Sequence, residues 1–101
     1  MAYDVARPLK RSPSHPGALL NDIIPETGKS KVEIAAMLGI SRQQLYDIIN
    51  EKKPVSPNVA ARLGKLFGDG AAVWLRMQAA HDAWQAENTI DLSGVPTLKI
   101  A

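Results

Sequence analysis

The sequence predicts an all-α domain of five helices with a tail at each end, and three observations carry that expectation. Apolar residues recur at three- and four-residue spacing from Leu19 to Trp84. Serine or proline start signals stand at Pro16, Ser30, Ser41 and Ser56, and glycines follow several of the stripes they open. There is no internal repeat and no low-complexity tract.

Residues 1–14 carry Arg7, Lys10 and Arg11 with two prolines and no periodicity, and are expected to form a mobile arm. Pro16 suits a first helical turn, where its missing N–H costs nothing. Leu19, Leu20, Ile23 and Ile24 then give a helix over 16–24, closed by Pro25 and Gly28. Ser30-Lys31-Val32-Glu33 and Ser41-Arg42-Gln43-Gln44 have the S-x-x-E/Q form of capping boxes. In each the hydroxyl meets one orphan N–H and the long side chain reaches back to another. They open a second helix, to Leu38, and a third, from Arg42 to about Asn50, with Gly39-Ile40-Ser41 between them. Ser56-Pro57 opens a fourth helix with Val59, Ala60, Leu63, Leu66 and Phe67 as its buried stripe, ended by Gly68. A fifth is expected over 71–86, burying Val73, Trp74, Met77, Ala80 and Trp84. After Asn88 the helical period stops, and Ile90, Leu92, Val95, Leu98 and Ile100 scatter around Gly94 and Pro96. An extended segment, a docking strand and a frayed tail are all open there. The expected division is an arm (1–14), a helical domain (15–87) and a tail (88–101).

A chain of 101 residues builds one core without staples. It has no cysteine, which excludes a disulfide framework, a zinc knuckle and a thiol nucleophile and fits a reducing cytoplasm. No apolar run approaches the roughly 20 residues that span a bilayer, and the first residues lack the apolar core of a secretory signal. The protein is expected to be soluble and cytoplasmic. Its net charge of +2 is uninformative, but its distribution is not: residues 1–65 balance at +4 and residues 66–101 at −2. That suits a polyanion on one side and a different partner on the other. His15 and His81 lie at opposite ends of the chain without ligand spacing, so no metal is expected, and His15 reads as a capping or packing residue. No nucleophile–base pair or Gly-rich phosphate loop is visible, so neither an enzyme nor a cofactor is expected.

Two short helices joined by a tight turn containing glycine form the DNA-binding helix-turn-helix. Ala35 stands where the second and third helices must cross closely. Gly39 stands where the chain needs a left-handed backbone. Ile34, Leu38, Ile40, Leu45 and Ile48 supply the apolar contact between them. The remaining face of the third helix is polar: Arg42, Gln43, Gln44, Tyr46 and Asp47. Arginine pairs with the O6 and N7 of guanine and glutamine with adenine, and the first turn of this helix is the part that enters the major groove. These residues are the expected base readers, although Tyr46 and Asp47 equally suit orienting a neighbour. Ser30, Lys31, Ser41, Lys52 and Lys53 flank them and are expected on phosphates. The competing reading is a solvated helix face with no DNA role.

His15-Pro16-Gly17, Gly39-Ile40-Ser41-Arg42-Gln43-Gln44-Leu45 and Trp74-Leu75-Arg76-Met77-Gln78 together resemble the HigA-type antitoxins, a branch of the phage-repressor-like (XRE, Cro/cI-type) helix-turn-helix proteins. The resemblance covers about residues 15–87. It implies a dimeric repressor of its own operon that also binds and neutralises a HigB-like toxin, an mRNA-cleaving RNase. The chain departs from the family where a glycine commonly follows the third helix; here the loop reads Glu51-Lys52-Lys53-Pro54. A two-fold reader of half-sites leaves the fifth helix and the tail to pair subunits. Two alternatives stand beside the antitoxin: a repressor of the same fold without a toxin, and a protein-binding module that has lost DNA affinity.

Overall fold

A computed structural model describes residues 12–100. The expected basic arm therefore lies for the most part, residues 1–11, outside the described residues. In chain order the structure has α1 (Pro16–Ile23), a 3-10 turn (Pro25–Thr27), α2 (Lys31–Leu38), α3 (Arg42–Ile49), α4 (Pro57–Phe67) and α5 (Ala71–Thr89). Among the described residues there is no strand.

Each start signal in the sequence has a physical counterpart. Ser30 Oγ accepts from the Glu33 N–H at 3.1 Å while Glu33 Oε1 accepts from the Ser30 N–H at 3.0 Å, the full reciprocal box. Hydrogen bonding of the Glu33 carboxylate to Ser30, first to its backbone N–H and then to its side chain, also holds that carboxyl below its ordinary range. The second box is only half made. Ser41 Oγ accepts from the Gln44 N–H at 3.0 Å, and no return bond from the Gln44 side chain accompanies it. An amide binds the cap N–H less strongly than a carboxylate does. Ser56 Oγ caps α4 through the Val59 N–H, and Gly39 and Gly68, both at positive φ, end α2 and α4.

The core gathers Leu20 and Ile24 from the first segment, Ile34, Ala35 and Leu38 from α2, and Leu45, Ile48 and Ile49 from α3. Val55, Val59, Ala60, Leu63 and Trp74 complete it. The five apolar residues expected between α2 and α3 all reach this core, Ile40 only at its edge. Two glycines permit close approach. A methyl group on Gly17 would overlap the Ile48 carbonyl, and one on Gly64 would overlap the Gly70 backbone. Glycine therefore lets α1 lie directly on α3 and lets α5 begin against α4.

The fifth helix departs from expectation. Trp74 is buried, Val73, Met77 and Trp84 are half-buried, and Ala80 is exposed. Gln78 is buried with Trp74 instead, with Ala71 and Leu75 half-buried on the same i, i+3, i+4, i+7 stripe. Apolar periodicity does not single out a polar residue, and Gln78 can be buried because both ends of its amide have a hydrogen-bond partner. Trp74 donates from Nε1 to Asp69 at 3.0 Å and leans on Phe67. Beyond α5, which runs to Thr89, residues 90–100 are exposed, with Ile90, Leu92, Val95, Leu98 and Ile100 outside the core.

His15 is the N-cap of α1: its Nδ1 accepts from the Gly17 N–H at 2.9 Å, and the ring is buried. The two histidines, far apart in sequence, meet edge to face with centroids 5.0 Å apart. Burial first, and then the neighbouring His81, push the His15 pKa below its ordinary 6.5, against weaker opposing pulls from Glu51 and Asp82. The neutral ring is thus the folded form, and its protonation removes the cap acceptor. Because the folded value lies below the unfolded one, this contribution is complete above about pH 6.5 and is lost as pH falls towards the lowered value. His15→Asn keeps a capping acceptor that does not titrate. Melting temperatures compared between pH 7.5 and 5 should therefore fall less in the variant than in the parent.

Candidate nucleic-acid interface

The geometry of the interface begins at the turn between α2 and α3. Gly39, at φ 75°, sends its N–H to Ala36 O, and the Ile40 N–H reaches Ala35 O, which closes α2 in a Schellman arrangement. Ser41 then caps α3 immediately. A methyl group on Gly39 would lie 2.8 Å from Arg62 Nη1, which donates to Leu38 O at 3.0 Å. Arg62 is itself held by Asn58, whose side-chain oxygen accepts from Nε at 2.7 Å. A cation from α4 thus sits on the negative end of α2, where the macrodipole favours it. Sequence reasoning missed Arg62 and Asn58; their i, i+4 spacing on α4 was the available signal.

The polar face of α3 follows from this placement. Arg42 and Gln43, in its first turn, are exposed; Gln44, Tyr46 and Asp47 are half-buried. Arg42 has no hydrogen bond or ion pair among the described residues. Asp47 is drawn into a network, its Oδ1 accepting from Gln43 Nε2 at 2.8 Å and its Oδ2 lying 3.4 Å from Lys53 Nζ. Lys31, at the start of α2, sits over the Tyr46 ring at 5.9 Å from its centroid. Of the residues expected on DNA, the structure therefore links Gln43, Asp47 and Lys53 in one chain and Lys31 with Tyr46 in a pair. Lys52 is exposed beside them. Ser30 and Ser41 each use an oxygen lone pair on a helix cap.

The loop after α3 shows what a departure from the family's glycine entails. Glu51 has φ 61°, the one non-glycine residue at positive φ among those described. Its N–H bonds Ile48 O at 3.0 Å and the Lys52 N–H bonds Asp47 O at 2.8 Å, again a Schellman closure. A left-handed side-chain residue here costs about 1–2 kcal/mol.

No helix among the described residues is long and apolar enough to cross a membrane, and no group of three or more potential ligands among them is placed to hold a metal ion.

A tight helix pair with an exposed polar first turn on its second member, flanked by lysines and a helix N-terminus, defines a helix-turn-helix protein. Comparison with known proteins agrees. The helix-turn-helix family model HTH_3 matches residues 26–74. The HTH-type transcriptional regulator YbaQ of Escherichia coli K12, itself uncharacterized, is 33% identical over 81 residues, 79% of this chain and 72% of that protein. The solved structure of the Pseudomonas aeruginosa antitoxin HigA with the higBA promoter superposes with a TM-score of 0.73 at 28% identity, covering 85% of this chain and 99% of that one. Antitoxin GraA reaches a TM-score of 0.80 at 29% identity, covering 87% and 99%. The chain belongs to the XRE-type helix-turn-helix family, and HigA-type antitoxins are among its structural neighbours.

Glu51→Gly should relieve the backbone strain at a smaller entropic cost, for a net gain of about 0.5–1 kcal/mol. Urea denaturation of parent and variant checks it; an unchanged or lower midpoint would mean that Glu51 contributes more through its charge than it loses in strain.

Proposed function

We propose that this protein is a dimeric repressor of its own operon and the antitoxin of a type II pair, neutralising a HigB-like RNase toxin by forming a complex with it. One observation carries the DNA half. The exposed first turn of α3 presents a guanidinium unpaired among the described residues and a pre-aligned amide, on a helix packed against α1 and against α2, whose last carbonyl Arg62 holds. Arg42 suits guanine O6 and N7. Gln43 gives one amide proton to Asp47 and keeps the other, with Oε1, for adenine N7 and N6. In this reading Asp47 and Tyr46 orient neighbours as much as they touch bases, and Gln44 stands at the edge of the reading face. Ser30, Lys31, Ser41, Lys52 and Lys53 take phosphates.

The antitoxin half is supported by the likeness to HigA and GraA. Two copies pair through α5 and the tail, whose exposed apolar residues need a cover. A toxin-free repressor is the second reading, favoured by the likeness to YbaQ, which is named for transcriptional regulation alone.

Gel-shift titration against the chain's own upstream DNA, with a scrambled duplex as control, tests the first half. Binding no tighter than to the scrambled duplex would overturn it, and failure to co-purify with the product of an adjacent frame would leave the toxin-free repressor. Arg42→Ala should cost about 1–3 kcal/mol at one base position and relax preference there. Lys31→Ala should weaken all sequences alike and flatten the salt slope by about one unit.

A further inference from the structure

Gln78 is, with His15, one of two buried polar residues among those described, and the DNA reading above gives it no role. Its surroundings do. The loop leaving α3 carries Lys52 and Lys53, and its first half is tied to α3, since the N–H groups of both lysines reach Asp47 O at 2.8 and 3.2 Å. Pro54 has no N–H, so the next backbone donor is that of Val55, whose side chain is 3% exposed in the core. That donor meets no backbone acceptor. It donates to Gln78 Oε1 on α5 at 2.8 Å, across 23 residues of sequence. The other end of the amide is fixed as well: Nε2 donates to Asp82 Oδ1 at 2.9 Å, one turn along α5. A donor on one side and a carboxylate on the other allow the amide a single orientation.

We propose that Gln78 is a positioning residue for the phosphate-contacting loop: from α5 it holds Val55 in place and so sets where Lys52 and Lys53 stand against the DNA backbone. This rests on the phosphate role proposed for the two lysines. Without the acceptor, a buried N–H is left unsatisfied and the loop's far end must move to find water. The loop is already under strain at Glu51, and once that end is released only the bonds to Asp47 and the packing of the Val55 side chain remain to hold it. The base-reading turn of α3 lies at the opposite end of its helix, on the Ser41 cap and next to the end of α2 that Arg62 holds, and keeps its pose.

The test uses the full chain and a duplex of its own upstream DNA, with the salt dependence of binding as the readout, melting temperature alongside and a scrambled duplex for discrimination. Each phosphate contact contributes about 0.9 to the slope of log K against log salt. Gln78→Met, close in volume but with only a weak thioether acceptor, should flatten the slope by about one to two units while the ratio of upstream to scrambled affinity holds. Gln78→Glu alone sets a carboxylate against Asp82 and should flatten it too. Combined with Asp82→Asn, it reverses the polarity of the pair, leaves Val55 an acceptor and should restore the parental slope. If Gln78→Met does not fold, the single and double exchanges carry the comparison. A Gln78 variant that melts earlier but keeps the parental slope, or a double exchange that restores nothing, overturns the proposal. Lys52→Ala and Lys53→Ala run in parallel. If these flatten the slope and the Gln78 variants do not, only the positioning role falls; if they leave it unchanged, the phosphate reading falls and the positioning role with it.

Discussion

Whatever α3 offers to a groove depends on how the chain reverses at Gly39. Three residues must carry it out of α2 and into the cap of α3, and the last turn of α2 leaves carbonyls without intrahelical partners. The left-handed backbone at Gly39 returns two N–H groups to Ala36 and Ala35, and Arg62 reaches across from α4 to take Leu38. Both solutions need glycine. A side chain there would strain the backbone and also occupy the space of the guanidinium. The turn is therefore part of the tertiary structure, since the helix that supplies Arg62 also supplies Val59, Ala60 and Leu63 to the core.

Much of the fold was legible because its signals are local. A serine before an apolar stripe, a proline in a first turn and a glycine after a last one act within a few residues of where they stand, and the first four helices each begin within a residue of their signal. What stayed hidden was long-range and polar. Apolar periodicity could not select Gln78, whose burial depends on an amide 23 residues earlier. Nor could it join His15 and His81, which meet only because α1 packs on α5. The second capping box matched its pattern in sequence, but only the serine half formed, because the pattern does not distinguish the weaker amide from the carboxylate.

The interface divides along the same line. That Arg42 and Gln43 would be exposed on the first turn of α3 followed from the position of Ser41 and the apolar register of Leu45 and Ile48. The link from Gln43 through Asp47 to Lys53 needed the loop to fold back on its helix, and that return depends on the conformation of Glu51, a residue with no preference for it. Loop geometry of this kind is set by what the chain must reach afterwards, here the buried position of Val55.

The three helices α1 to α3 are held at both ends of their segment by one face of α5. Before α1, the Pro13 carbonyl accepts from His81 Nδ1 at 2.9 Å; after α3, the Val55 N–H donates to Gln78. Neither backbone group belongs to a helix, so neither has a partner in regular structure, and residues at i and i+3 on α5 supply both. His15, capping α1, packs against the same His81, and Asp82 orients the same Gln78. Apolar packing alone resists separation but permits sliding, because it is non-directional. Hydrogen bonds to fixed backbone groups resist sliding. Two of them at the entry and exit of the segment give α1 to α3 a defined position on α5, which apolar contact between α4 and α5 would not by itself impose.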